Sequence, residues 1–458
     1  MSEAVTSDAT AAAAREPDVA SLHHLCRVLA EAAEAVGEAA AHASELALGG
    51  PAGGGARLPA PARRALLRAL THAGGLGWAW RGRGLLARAG WLVGVFTSRE
   101  SLAVSLAVTG LKARIRAAAV SHPELLDHGA AAKVLRAIEA DRQTEAAGHF
   151  RRLMTERGAE YALAVLAPSF TDLLAWNALT DENPFNDRAG WQIATGRPLT
   201  SEPLLGVAAP VWSRLDRGPG RAEPHRPDAA LRERVDTSGT ITGYVRNIGL
   251  IGTGGLLLVQ PVTGPDGVRR YVVQLAGMAP GKPNHDSPQD LIGAIDAVGA
   301  AETPYTRAVT KALRQTVPSG AELALVGHSQ GGITAMNLAG SRDFTAVYTV
   351  THVVAIGSPI DHKRPADPAT RVFSLVNEHD IVPSLEGRSA VSPYGLPAGF
   401  TEFTWTDDTH AFPLCHAAER YAHNLRHDVP DVAARVDKEL AAYRGRPAAA
   451  RFFTLHDR

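Results

Sequence analysis

A chain of 458 residues with 45% hydrophobic content is long enough for two or more domains and a sizeable core. Lysine plus arginine total 47, as do aspartate plus glutamate, so the formal charge is zero and the composition offers no basic surface for nucleic acid. The two cysteines, Cys26 and Cys415, stand far apart, which excludes a disulfide framework and a C-x-x-C zinc site.

Residues 1–20 are polar and alanine-rich and read as a flexible arm, without the basic start and apolar core of a secretory signal. From Leu22, apolar and alanine positions recur at Leu25, Leu29, Ala32, Val36, Ala40, Ala43 and Ala47, one stripe on a long helix that ends at Gly49-Gly50-Pro51. A second helix begins near Pro59 and stops at Gly74-Gly75; helical patterns resume over 101–119 and 130–166 and end at Pro168. Residues 21–168 therefore read as a helical N-terminal domain with no catalytic constellation. Its paired helices are loosely similar to the small secreted helical-hairpin proteins of actinobacteria but lack a Trp-x-Gly turn at the expected place. Trp78, Trp80, Arg81, Arg83, Arg88 and Trp91 fit either a membrane-surface patch or helix packing with snorkelling arginines. The longest apolar stretches, 89–97 and 102–111, are shorter than the roughly 18–20 residues that span a bilayer. The expectation is a soluble, cytoplasmic protein, with export lacking a classical signal as the alternative.

Residues 169–235 read as an irregular wrapping segment and linker, the Pro/Arg/Gly-rich run 217–230 being the linker proper. After Asp236 the periodicity changes. Short strands are expected at 240–245, 255–260 and 270–275, the last two joined by the turn Thr263-Gly264-Pro265-Asp266-Gly267. Helices in 288–316, the first starting at a capping Ser287-Pro288, then alternate with strands at 322–326, 350–356, 371–376 and 402–406. A final helix covers 431–443, and 446–458 reads as a C-terminal tail. Near-continuous apolar strands separated by helices imply a mostly parallel sheet covered on both faces, so 236–445 reads as an α/β domain.

Within it, Gly327-His328-Ser329-Gln330-Gly331 stands between the apolar run 322–326 and a helix-competent run. This is a G-x-S-x-G nucleophile elbow in a strand-then-helix setting, which presents Ser329 at a helix N-terminus, where free N–H groups favour developing negative charge. A serine nucleophile needs a base and an orienting carboxylate, expected downstream in the order acid, then histidine. Asp380, just past the strand 371–376, is the acid, with Glu378 and Asp361 as competitors. His416, on the approach to the last helices, is the base, with His410 as the rival; His423 and His427 read as solvated helix histidines. The oxyanion donors are the N–H of Gln330 and that of Met278, with Gly277 next, in the tight turn Ala276-Gly277-Met278-Ala279.

These segments, with Val273-Gln274-Leu275, Thr351 to Pro359, Asp380-Ile381-Val382-Pro383 and His416 with Tyr421, resemble the α/β-hydrolase superfamily, and more narrowly the lipase/esterase-type hydrolases of actinobacteria. The resemblance covers 270–425. It implies an α/β-hydrolase fold and a serine hydrolase cleaving carboxylic esters, lipid or small-molecule, through an acyl-enzyme and a Ser329-His416-Asp380 triad, with no cofactor and no metal. The alternatives are a thioesterase or acyltransferase with the same triad, or a partner- or membrane-binding protein on an inert hydrolase scaffold.

Overall fold

The computed structural model describes residues 18–48, 58–72, 74–77, 101–127, 129–279, 281, 285–388 and 392–458. The Trp78 to Trp91 patch lies outside the described residues. Val19–Leu48 is one helix, and its buried line of Leu22, Cys26, Ala30, Ala33, Ala40 and Ala47 packs on the helix Leu102–Ser121. Gly110 faces Leu29 across the seam, where an added Cβ would make an ordinary contact at 3.6 Å with Leu29 Cβ. The seam is rotated from the expected stripe, leaving Leu25 44% exposed while Cys26 is buried.

Helices Gly129–Glu139, Gln143–Arg157, Ala159–Leu166 and Phe170–Thr180 follow. The run does not stop at Pro168. That residue sits in the 3₁₀ turn Ala167–Ser169, in a first-turn position where its missing N–H breaks no helical bond. Among the described residues, Ala159–Thr180 is the one segment long and apolar enough to cross a membrane, yet 72% of its most apolar window is buried inside the protein. A buried ion pair ties Asp172 in this segment to Arg114 on the helix Leu102–Ser121.

The stretch 169–235 is more ordered than expected. It holds the helices Phe170–Thr180, Asp187–Ala194 and Ala209–Leu215, the strand β1 (Arg221–His225) and a short helix, Ala229–Arg234. The supposed linker thus donates a strand, and Pro224 is tolerated because β1 is an edge. The expected strand at 240–245 is instead the start of the helix Ile241–Ile251. Ile241, Tyr244, Val245, Ile248 and Ile251 fall on one helical face, Thr240 caps the N-terminus and Gly252 (φ +62) ends it, which outweighs the β-branched residues at 240–242.

The sheet is completed by β2 (Leu256–Thr263), β3 (Arg269–Leu275), β4 (Glu322–His328), β5 (Thr349–Ile356), β6 (Arg371–Asn377), β7 (Phe400–Trp405), β8 (Arg446–Pro447) and β9 (Arg451–His456). Their order is β1-β9-β2-β3-β4-β5-β6-β7, with β8 also on β2. Pairings from β3 to β7 are parallel and the others antiparallel. The architecture is mixed α/β. Residues 446–458 are no tail: β9 is inserted between β1 and β2, placing Phe452 on one sheet face and Phe453 and Leu455 on the other. The sheet therefore extends beyond 236–445 at both ends.

Both faces are covered. One core layer joins the sheet to the helices Ile241–Ile251, Ala418–His427 and Pro430–Glu439; the other joins it to Pro304–Arg314 and Gln330–Gly340. Pro304–Arg314 is preceded by the helix Leu291–Gly299, which starts three residues later than expected because Asp290, not Ser287, is its cap: the Asp290 carboxylate accepts the Gly293 N–H. This arrangement sets the C-terminal ends of β3 to β7 side by side on one edge, and the loops leaving them carry the candidate site.

Candidate active site

The strand β4 hands the chain to the helix Gln330–Gly340 through Ser329, one of two described non-glycine residues with positive φ (φ 56, ψ −127). A serine pays for that conformation in strain, and the neighbours must make room for it. A Cβ on Gly327 would lie 2.3 Å from the Gly331 carbonyl carbon, and one on Gly331 would lie 2.2 Å from the Leu275 oxygen. Both glycines of the motif are therefore steric requirements. The Ser329 N–H is bonded to the Ile356 carbonyl at 2.9 Å, which pins the elbow to the end of β5.

His416 Nε2 lies 2.9 Å from Ser329 Oγ, and His416 Nδ1 lies 2.7 Å from Asp380 Oδ2. With Asp380 accepting at Nδ1, that nitrogen carries the proton and Nε2 presents its lone pair to the serine hydroxyl. Both oxygens of the Asp380 carboxylate are engaged: Oδ2 also accepts from the Tyr421 hydroxyl at 2.9 Å, and Oδ1 accepts the Val382 N–H at 3.0 Å. Burial, followed by the Asp380 charge, pushes the Tyr421 phenol well above its ordinary pKa, so it stays a hydrogen-bond donor. The Tyr421 oxygen in turn accepts the Asn377 N–H at 3.0 Å, locking the helix Ala418–His427 to the end of β6.

Gln330 opens its helix, so its N–H has no intrahelical acceptor. Its side chain is turned away, donating to the Pro288 carbonyl at 2.8 Å. The turn 276–279 stands directly against the serine: a Cβ on Gly277 would come within 2.8 Å of Ser329 Cβ. Met278 follows in the same turn and is half-buried. Tyr305 donates to the Ala276 carbonyl at 2.9 Å, and the Ala279 N–H donates to the Gln289 carbonyl at 2.8 Å, so both ends of the turn are held.

The competing residues go elsewhere. Glu378 faces His122 of the helical region, Oε2 to Nε2 at 3.4 Å. Asp361 pairs with Arg388 at 3.4 Å, and burial pushes its carboxyl up to about 7. His410 donates from Nδ1 to the Asp408 carbonyl at 3.0 Å and packs at a tilt against His379, while His423 and His427 are exposed, with ring centroids 4.7 Å apart. Comparisons with protein-family models, with curated proteins and with solved structures found no match for this chain. The chemistry of the site therefore rests on its own geometry.

Three supporting residues were not singled out from the sequence. Asp407, beyond β7, accepts from Arg420 Nε (2.7 Å), Asn424 Nδ2 (2.9 Å), Asn377 Nδ2 (3.1 Å) and the Thr409 N–H (2.8 Å), bracing the loop that leads to His416. Burial opposes its charge, but the hydrogen bonds from Arg420, Thr409 and Asn424, with His379 Nδ1 3.8 Å away, win and hold its carboxyl well below the ordinary range. Gln289 donates to the Tyr305 hydroxyl at 3.0 Å, supporting the 276–279 turn. His328, the variable position of the motif, approaches the His416 carbonyl through Nε2 at 2.6 Å. The pair Thr406-Asp407 just past a strand signals an Asx turn. For His328 and Gln289 the linear sequence carries no such mark.

Two cavities adjoin this region. One of about 20 Å³, room for a water molecule, lies behind Asp380 among Ser358, Asp361, Ser374, Arg388 and Glu402. The other, about 300 Å³, flanks the far end of the elbow helix at Met336, Asn337 and Gly340, with His362, Lys363 and Glu386. Among the described residues, no three His, Cys, Asp or Glu side chains converge as a metal-ligand group.

Proposed function

We propose that the chain is a serine hydrolase of carboxylic esters built on an α/β-hydrolase fold. The observation that carries this reading is the unbroken chain Ser329 Oγ to His416 Nε2 at 2.9 Å and His416 Nδ1 to Asp380 Oδ2 at 2.7 Å, set on a strained strand-to-helix elbow. In this reading Ser329 Oγ attacks the ester carbonyl as its proton passes to His416 Nε2. Asp380 keeps the imidazole in the required tautomer and stabilises the imidazolium. The charge that develops on the carbonyl oxygen is taken up by the N–H of Gln330 and by the 276–279 turn through Met278. His416 then protonates the departing alkoxide. Water deprotonated by the same Nε2 attacks the acyl-enzyme, releases the acid and restores Ser329.

A thioester would follow the same course with a thiolate leaving group, and an alcohol in place of water would give acyl transfer. No contact favours either over hydrolysis. An inert scaffold would have its histidines out of reach of Ser329, and the 2.9 Å contact of His416 supports a catalytic role instead. Incubation with a fluorophosphonate probe tests the proposal: a covalent adduct at Ser329 is expected in the wild type and not in Asp380→Asn over the same interval.

A further inference from the structure

We infer that His328 is a positioning residue that fixes the distance between nucleophile and base; this rests on the hydrolase reading above. His328 is the last residue of β4 and is covalently joined to Ser329. Its Nε2 lies 2.6 Å from the backbone carbonyl of His416, an atom that only accepts, so Nε2 carries the proton and donates. The strand that delivers the nucleophile is thereby tied to the backbone of the base by one side chain. The two imidazoles pack with centroids 4.7 Å apart, and the Tyr421 ring meets His328 edge to face, centroids 6.0 Å apart.

The tie matters because the base lies outside the long helices and strands, in the turn just before the helix Ala418–His427. His416 ends a single 3₁₀ turn, Leu414–His416, reached by a long loop from β7, and Leu414 beside it is 59% exposed. Asp380 and Ser329 hold the ring at its two nitrogens, but neither contact fixes the backbone that carries it. The His328 bond to the carbonyl of the same residue supplies that hold. Burial, and next the proximity of His416, push His328 down to about 3, so it remains a neutral donor and adds no positive charge beside an imidazolium forming on His416.

The test compares His328→Gln with His328→Phe in the full-length protein. The amide nitrogen of Gln occupies the place of His Nε2 and keeps a donor; Phe keeps the packing volume and removes it. If His328 positions the base, Phe slows fluorophosphonate labelling and kcat by roughly 10- to 100-fold with KM within about twofold of wild type, and Gln restores most of the rate. A second readout is independent of turnover. The deshielded Nδ1–H proton resonance of His416 is retained in wild type and Gln, and is broadened by exchange in Phe. Phe labelling at the wild-type rate, or Gln and Phe equally slow with intact folds, overturns the inference. A wild type that does not label at Ser329 overturns the hydrolase reading instead, while the resonance comparison still decides the role of His328.

Discussion

His416 Nε2 stands 2.9 Å from Ser329 Oγ although 87 residues separate them in the chain. Neither residue sits in the interior of a helix or strand: Ser329 is the junction of β4 with its helix, and His416 closes a single 3₁₀ turn. Their spacing is set by what holds those loops. Ser329 is pinned by the Ile356 carbonyl and the two flanking glycines, His416 by Asp380 and His328.

The contributions of Asp380 and of its support Tyr421 are separable. Asp380→Asn leaves the shape but presents an amide to Nδ1, favouring the wrong tautomer, and should lower kcat by about 10⁴. Tyr421→Phe keeps the carboxylate and removes one donor to it. It should lower kcat about 3- to 10-fold and stability by about 1–2 kcal/mol, because the Asn377 N–H loses its buried acceptor. Steady-state kinetics and denaturant melts on the two variants check both figures.

Gly331→Ala should damage the fold before it damages chemistry. The added methyl would sit 2.2 Å from the Leu275 oxygen, which is backbone at the end of β3 and has no rotamer to yield. A loss on the order of 3 kcal/mol is expected in a urea melt. Gly148→Ala, where a Cβ meets nothing within 4 Å, is the matched control and should be neutral or slightly stabilising.

Truncation after Ala450 should prevent folding of the sheet. It removes β9 from between β1 and β2, and with it Phe452, Phe453 and Leu455, each at most 5% exposed. At about 1.5–3 kcal/mol per buried side chain the loss rivals the 5–15 kcal/mol that typically holds a domain together. Circular dichroism and solubility of the shortened chain are the measurements.

The burial of His328 makes a pH prediction with a definite sign. Its pKa falls to about 3 in the folded chain from about 6.5 unfolded, so between these values the unfolded state binds the extra proton. This group therefore contributes stability above about pH 6.5 that is lost on acidification, by about 1.4 kcal/mol per pH unit. His328→Gln removes the contribution, so the variant should gain on wild type by about that slope between pH 6 and pH 4 in denaturant melts. His362, also pushed down, to about 4, is common to both proteins and cancels.

Some of this was legible in the linear chain and some was not. The strand, elbow and helix around Ser329 are local, written in five residues and their neighbours, and the loops that hold Asp380 and His416 follow β6, a largely apolar run, and β7, a run that mixes aromatic and polar residues. Ile241–Ile251 was missed because β-branched residues at its start suggest a strand, and the helix shows only in the longer spacing of Ile241, Tyr244, Val245, Ile248 and Ile251 with the caps at Thr240 and Gly252. The edge strand β1 was hidden by a proline, and β9 by its distance in sequence from the strands it joins. The hold of His328 on His416 spans 88 residues and uses a backbone carbonyl, which leaves no trace in residue type.

The most direct measurement is the turnover of a p-nitrophenyl acyl ester by purified wild type and by Ser329→Ala at equal folded concentration. The account predicts turnover by the wild type and a loss of at least about 10³-fold in the variant. Equal rates in the two proteins would contradict it.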